Sequence, residues 1–294
     1  MRQAGLVRAT GVGRRLLAVA VLLTAAAALS GSTQPSAGRH LTVAPPDSRS
    51  ARSPGPPLDV VALGDSVPAG RRCGCTPFPV RYAASLAAQS GRRMAVSNDG
   101  TPGLTSTGLT AELRDGGPVA ADVASADIVS ITIGANDFDY TQASPSCPGG
   151  TAGCFDSQMV ELSRQLDSVL TRIVVLRHLA PTTVLLTGYW DIWEDGQVAA
   201  AAGPRYVTMG DLLTGRVNQR LQHAAAFRRA TYVDLARAFR GAALRDDDTG
   251  LLADDGDHPN ATGHQVIADA LLQATPPAAV GTGTASRSVS AARS

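Results

Sequence analysis

Four side chains stand out for what their types and spacing can do: Ser66 in "GDSV", Asn136 in "GAND", and Asp255 with His258 in "DDGDHPN". A serine becomes a nucleophile when a base takes its proton, and histidine is the usual base. The histidine in turn needs a carboxylate to fix its tautomer and stabilise its charged form. A tetrahedral intermediate then needs donors aimed at its oxyanion. The backbone N–H groups of Ser66 and Gly103, with the Asn136 side chain, supply three. Acyl transfer is the chemistry that uses this set. Taken singly, each residue has a plainer reading: a turn serine or helix N-cap, a loop histidine, an asparagine tying down its own turn. Asp65 and Asp137 are read as turn braces of that kind.

Positioning such a set requires a scaffold that brings distant segments to one edge. Apolar, β-branched runs at 59–64, 93–98, 127–134, 183–188 and 231–235 read as strands. Helical patterns lie between them at 79–89, around 107–125, at 156–179 and at 205–227, and a last helix follows "HPNATGHQ". Thr262 and Gln265 there have capping-box spacing. Near-continuous apolar strands alternating with helices predict a parallel sheet covered on both faces. Sites in such sheets form beyond the carboxyl ends of the strands. Ser66, the "NDGTPG" loop, Asn136, the "GYWDIWED" segment and the Asp255–His258 pair follow five successive strand ends.

In order, "GDSV", the glycines of "NDGTPG", "GAND" and "DDGDHP" resemble the four blocks of the SGNH hydrolases, also called the GDSL family. The resemblance spans Ser66 to His258, and Val67 departs from the usual leucine while keeping its apolar character. It implies a three-layer α/β/α sandwich, flavodoxin-like, around a parallel sheet of about five strands. It also implies a serine esterase with Ser66 as nucleophile, His258 as base and Asp255 orienting His258. Asp255 rather than Asp257 has the family's spacing to the histidine. Ser66 N–H, Gly103 and Asn136 would form the oxyanion hole, Gly103 being preferred to Gly100 by its distance from Asn98. No cofactor and no metal is implied. The substrate is expected to be a carboxylic ester of a small molecule, lipid or glycan. Removal of acetyl groups from xylan, another glycan or a cell-wall polymer is the alternative, as is acyl transfer from the same site. A non-catalytic binding protein on this scaffold is opposed by the intact site residues. Tyr189, Trp190 and Trp193 either line an acyl or sugar pocket or pack their own loop.

The rest of the chain frames this domain. Arg2, Arg8, Arg14 and Arg15 precede an apolar run from Leu16 to Leu29 and small residues, the pattern of a secretory leader over residues 1–30. The run is shorter than the roughly 18 residues a spanning helix wants. A secreted protein without stable membrane insertion is expected once the leader is removed, with an uncleaved membrane anchor as the alternative. Residues 31–57, rich in Pro, Ser, Gly and Arg, read as a linker, and 276–294 as a disordered tail, leaving 58–275 as one hydrolase domain. A net charge of +1 in 294 residues gives no reason to expect nucleic acid as a partner, and a monomer is expected. In an oxidising compartment the four cysteines suggest two local bridges, Cys73–Cys75 and Cys147–Cys154. A zinc site lacks a histidine near either pair in sequence. The acidic run 245–258 lacks the full EF-hand pattern and reads as a solvated loop. His40, His178, His223 and His264 read as surface or linker residues.

Overall fold

A computed structural model describes residues 41–44, 56–114, 116–138 and 152–281. The leader, residues 282–294 of the tail and the Cys147–Cys154 pairing lie outside the described residues, the last because of Cys147. Six strands form one sheet: β1 (Leu41–Val43), β2 (Leu58–Gly64), β3 (Met94–Gly100), β4 (Ile128–Thr132), β5 (Thr183–Thr187) and β6 (Thr231–Val233). Their order is β1-β3-β2-β4-β5-β6, and β1 alone is antiparallel, pairing with β3. The sequence expectation of about five parallel strands describes β2 to β6. The sixth comes from within the segment read as a linker, where Leu41, Thr42 and Val43 add an edge strand to β3.

Among the described residues the α-helices are α1 (Phe78–Ser90), α2 (Ser106–Arg114), α3 (Pro118–Ser125), α4 (Asp156–Leu176), α5 (Gly196–Ala202), α6 (Pro204–Arg228), α7 (Leu235–Arg240) and α8 (Ala261–Ala274). The single helix expected around 107–125 is two, because Pro118 cannot continue a helix and instead starts α3 after the Gly117 N-cap. β2 and β4 are almost wholly buried, as strands covered on both faces must be. Val60, Val61, Leu63, Ile128, Val129 and Ile131 form the middle of the core. Burying side chains of this size contributes about 1.5–3 kcal/mol each against leaving them exposed. The chain is packed beyond residue 275 as well: a short 3₁₀ turn at Pro277–Val280 buries Val280 in the core.

In this order successive strands are added on one side of β2 and then on the other, which makes β2 a switch point. Its neighbours are β3 on one side and β4 on the other, so a crevice opens beyond its carboxyl end. Ser66 is two residues past that end.

Candidate active site

β2 can deliver Ser66 to the crevice because of what surrounds it. Gly64 has φ +133°, and a Cβ there would lie 1.8 Å from the Thr132 carbonyl oxygen of β4. Only glycine permits both the dihedral and the approach. The chain then turns at once: Val67 N–H donates to Asp65 Oδ1 at 2.9 Å, and Arg71 N–H to the Ser66 carbonyl at 3.0 Å. Asp65 braces this turn, as the sequence suggested. Its other oxygen, Oδ2, accepts from the Tyr189 hydroxyl at 2.5 Å. Burial pushes the Asp65 carboxyl up to about 6, against the pull of those two hydrogen bonds.

The loop after β3 forms the neighbouring wall. Asn98 is spent on structure, donating to the Pro68 carbonyl at 2.8 Å and accepting from Gly100 N–H at 3.2 Å. Gly100 lies so close to the turn after Ser66 that a Cβ would meet Ala69 N at 2.4 Å. Gly103 has open space around it but sits at φ +80°, so its requirement is conformational. Gly103, not Gly100, faces the crevice. Asn136 lies in a 3₁₀ turn (Ala135–Asp137) just past β4, its amide anchored on the Leu104 carbonyl at 3.0 Å. Asp137 accepts from both the backbone and the hydroxyl of Ser106 at the start of α2, tying the same two loops together.

The third wall is the segment before α8. Asp255 Oδ2 lies 2.8 Å from His258 Nδ1, and Oδ1 accepts from the backbone N–H groups of Asp257 (3.2 Å) and His258 (3.1 Å). Burial tends to raise the Asp255 carboxyl, but these hydrogen bonds outweigh it and hold the group below its usual value. Asp257 Oδ2 stands 3.3 Å from the same His258 nitrogen. Partial burial and the nearby charges of Asp255 and Glu194 push Asp257 up to about 6, with His258 and Arg71 pulling the other way. The segment is locked at both ends. Leu252 bridges to Pro259, and the Asn260 side chain caps α8 by accepting from Thr262 and Gly263 N–H. Asn260 rather than Thr262 is therefore the cap. Gln265 bonds Arg81 and Asp269 instead of closing a box.

Ser66, Arg71, Pro102, Gly103, Asn136, Asp257 and His258 line a single cleft of about 350 Å³. Four of the five loops that follow strand ends contribute to it, and one does not. Tyr189, Trp190 and Trp193 do not line the cleft but are buried, 1–6% exposed. Trp190 stacks on Phe239, Trp193 Nε1 donates to the Phe138 carbonyl, and Tyr189 reaches under the turn that carries Ser66. Rings of this size release more surface from water in the core than on a polar cleft. A second hollow of about 430 Å³, between β6, α7 and α8, holds none of the reactive residues.

Two further sequence readings change. His264 is fully buried on α8, where its Nδ1 accepts from Phe78 N–H at 3.1 Å. Burial first, then the charges of Arg81 and His258, lower its pKa to about 4. It stands beside the Cys73–Cys75 pair, with donor atoms of the three within 4.8 Å. The two sulfurs are joined to one another, so this group presents no thiolate pair to a metal. The acidic run is only partly solvated: Asp248 is buried, and burial with the charge of Asp195 raises it to about 7.

A sequence profile of the GDSL-like lipase/acylhydrolase family matches residues 62–266. No curated protein matches the chain. Among solved structures, similarity extends to the lipase Lip_vut3 from a goat rumen metagenome, at 18% identity and TM-score 0.60, over 77% of this chain and 99% of that one. A putative GDSL-like lipase from Parabacteroides merdae is 19% identical with TM-score 0.53, over 74% and 96%. A variant of Axe2, an acetyl-xylooligosaccharide esterase from Geobacillus stearothermophilus, is 22% identical with TM-score 0.51, over 76% and 93%. At these identities the likeness is one of fold.

Proposed function

The chain belongs to the GDSL-like lipase/acylhydrolase family and is a serine ester hydrolase, and from that premise we propose that it cleaves short-chain carboxylic esters of polar alcohols through an acyl-enzyme on Ser66. The observation that carries the catalytic assignment is the 2.8 Å contact between His258 Nδ1 and Asp255 Oδ2. A carboxylate there favours the tautomer with its proton on Nδ1, which leaves Nε2 able to accept. His258 then takes the Ser66 Oγ proton as Oγ bonds to the ester carbonyl carbon. The developing oxyanion is met by Ser66 N–H, Gly103 N–H and Asn136 Nδ2. Collapse passes the proton from His258 to the departing alcohol. Water, deprotonated by His258, attacks the acyl-enzyme, and Ser66 leaves with the proton as the acid is released.

The lining of the cleft supports the substrate class. Pro102 and Gly103 are its only non-polar contributors among the described residues, beside Ser66, Arg71, Asn136, Asp257 and His258. A long acyl chain gains affinity from apolar wall, at roughly 25 cal/mol per Å² buried, and these walls offer little. Acetylated sugars fit such a lining, which favours the glycan esterase reading over the lipase one. The leader-like sequence pattern of residues 1–30 and the Cys73–Cys75 bridge support action outside the cytoplasm.

Hydrolysis of p-nitrophenyl esters from acetyl to palmitoyl by wild type and Ser66→Ala tests this. Turnover should peak at acetyl or butyryl and fall by about 10³-fold or more in the variant. Preference for palmitoyl would overturn the short-chain assignment, and absence of turnover at every length would overturn the hydrolytic one.

A further inference from the structure

Arg72 links the turn that carries the nucleophile to the carboxylate that serves the histidine. Its Nε donates to Asp255 Oδ2 at 3.0 Å, the same oxygen that His258 Nδ1 meets at 2.8 Å. Asp254 is a weaker neighbour, at 3.9 Å. Arg72 adopts φ +62°, the left-handed region that glycine or asparagine occupies at far lower cost. Backbone of this kind persists where surrounding structure imposes it and clusters at functional sites. Here the imposing structure is a series of tight turns. Gly70 N–H bonds the Val67 carbonyl, Arg71 N–H the Ser66 carbonyl and Cys73 N–H the Gly70 carbonyl, and the Cys73–Cys75 bridge closes the far side. The Arg72 side chain is half exposed, so the ion pair contributes little to stability. Strain without a return in stability points to orientation as the return.

There is something to orient. His258 Nδ1 has two carboxylates within reach, Asp255 at 2.8 Å and Asp257 at 3.3 Å. Asp255 is held by two backbone N–H groups on one oxygen and by Arg72 on the other; Asp257 lines the cleft. We propose that Arg72 is a positioning residue that fixes Asp255, rather than Asp257, as the partner of His258, and so couples the Ser66 turn to the general base. This rests on the reading in which His258 acts on Ser66. Besides Asp255 and Asp257, the charges and titratable groups that bear on His258 or on its carboxylates are Arg71, Arg72, Asp65, Glu194 and His264.

The test is p-nitrophenyl acetate kinetics against pH for wild type, Arg72→Gly, Arg72→Lys, Asp255→Asn and the Arg72→Gly/Asp255→Asn double variant, with a thermal melt of each. Arg72→Gly removes the side chain and the backbone strain together. Its kcat should fall about 10- to 100-fold with KM within threefold, while its melting temperature holds or rises. Removing a cation beside the imidazolium should move the acid limb of kcat/KM to higher pH. Arg72→Lys should recover part of kcat. In the Asp255→Asn background, Arg72→Gly should cost little more, since the shared oxygen is gone. An Arg72→Gly enzyme with kcat within twofold of wild type overturns the proposal. So does a parallel loss of kcat and melting temperature that Lys does not restore, because that marks a structural residue. Failure of the wild type to turn over the ester would count against the hydrolytic reading itself. In that case Arg72 is tested by the His258 Nδ1–H resonance, which should shift in Arg72→Gly; an unmoved resonance overturns the proposal.

Discussion

Asp65 and Tyr189 meet in a buried 2.5 Å hydrogen bond beneath the turn that carries Ser66. The contact joins the end of β2 to the end of β5 across β4, so the Ser66 turn is held from below by a strand that contributes nothing to the cleft lining. Tyr189 is wholly buried and its hydroxyl is pushed well above its ordinary pKa by burial and by Asp65, so it stays the donor.

Tyr189→Phe should therefore destabilise the fold by about 1–3 kcal/mol, the usual cost of stranding a buried polar partner. The loss depends on pH. Because Asp65 titrates near 6 in the fold against 3.8 in its absence, the folded state holds its proton more tightly. Its contribution to stability therefore declines as pH rises from about 4 to 6. Without the tyrosine donor the charged form is poorer still, so the decline should grow larger and reach to higher pH. Urea unfolding at pH 4.5 and 7.5 checks this, and an equal loss at both would contradict it.

Gly64→Ala should be among the most damaging small substitutions in the chain. The added Cβ would sit 1.8 Å from a backbone oxygen of β4 at a φ of +133°, so neither a rotamer change nor a side-chain shift relieves it. A loss above about 3 kcal/mol, seen as poor soluble yield or a melting temperature lowered by many degrees, is expected. Gly74→Ala, at positive φ but with open space around it, should be far milder.

Asn136→Ala removes a side-chain donor from the proposed oxyanion hole. Its kcat should drop about 10²- to 10³-fold, with KM little changed, because the donor bonds a charge that exists only in the transition state. The Leu104 carbonyl also loses its partner, so a melt belongs beside the kinetics. A rise in KM with kcat intact would assign Asn136 to ground-state binding.

Most of this geometry was legible in the sequence because strand ends announce themselves. The runs ending at Gly64 and Thr132 are short and apolar, the one ending at Gly100 is apolar over Met94–Val96, and their pairing into a parallel sheet sets Ser66, Gly103 and Asn136 on one edge. What escaped was decided by tertiary partners that leave no periodic trace. β1 is a three-residue strand inside a Pro/Ser-rich stretch, stabilised by an exposed edge of β3 rather than by its own pattern. Tyr189, Trp190 and Trp193 sit at a strand end like the site residues, and nothing local says that α6 and α7 close over them. Arg72 is one of two adjacent arginines in a loop; only the positive φ and the arrival of Asp255 from 183 positions away distinguish it.

His264 carries a pH signature that the sequence reading assigned to no role. It is buried and neutral, accepting from Phe78 N–H at the start of α1, and titrates near 4 in the fold against 6.5 outside it. A base whose folded pKa is depressed contributes stability that is complete above about 6.5 and is lost as pH falls towards 4. A depression from 6.5 to about 4 corresponds to roughly 3 kcal/mol. Because α1 and α8 pack against each other through this contact, charging His264 should separate the helix that follows the Cys73–Cys75 bridge from the helix that follows His258. Acid unfolding should therefore show a component between pH 6.5 and 4. His264→Asn should flatten it, since an amide can accept from Phe78 N–H without taking a proton. If the acid profiles of wild type and His264→Asn superimpose, the titrating group lies elsewhere, and the buried ring is held neutral by neighbours that do not depend on its protonation.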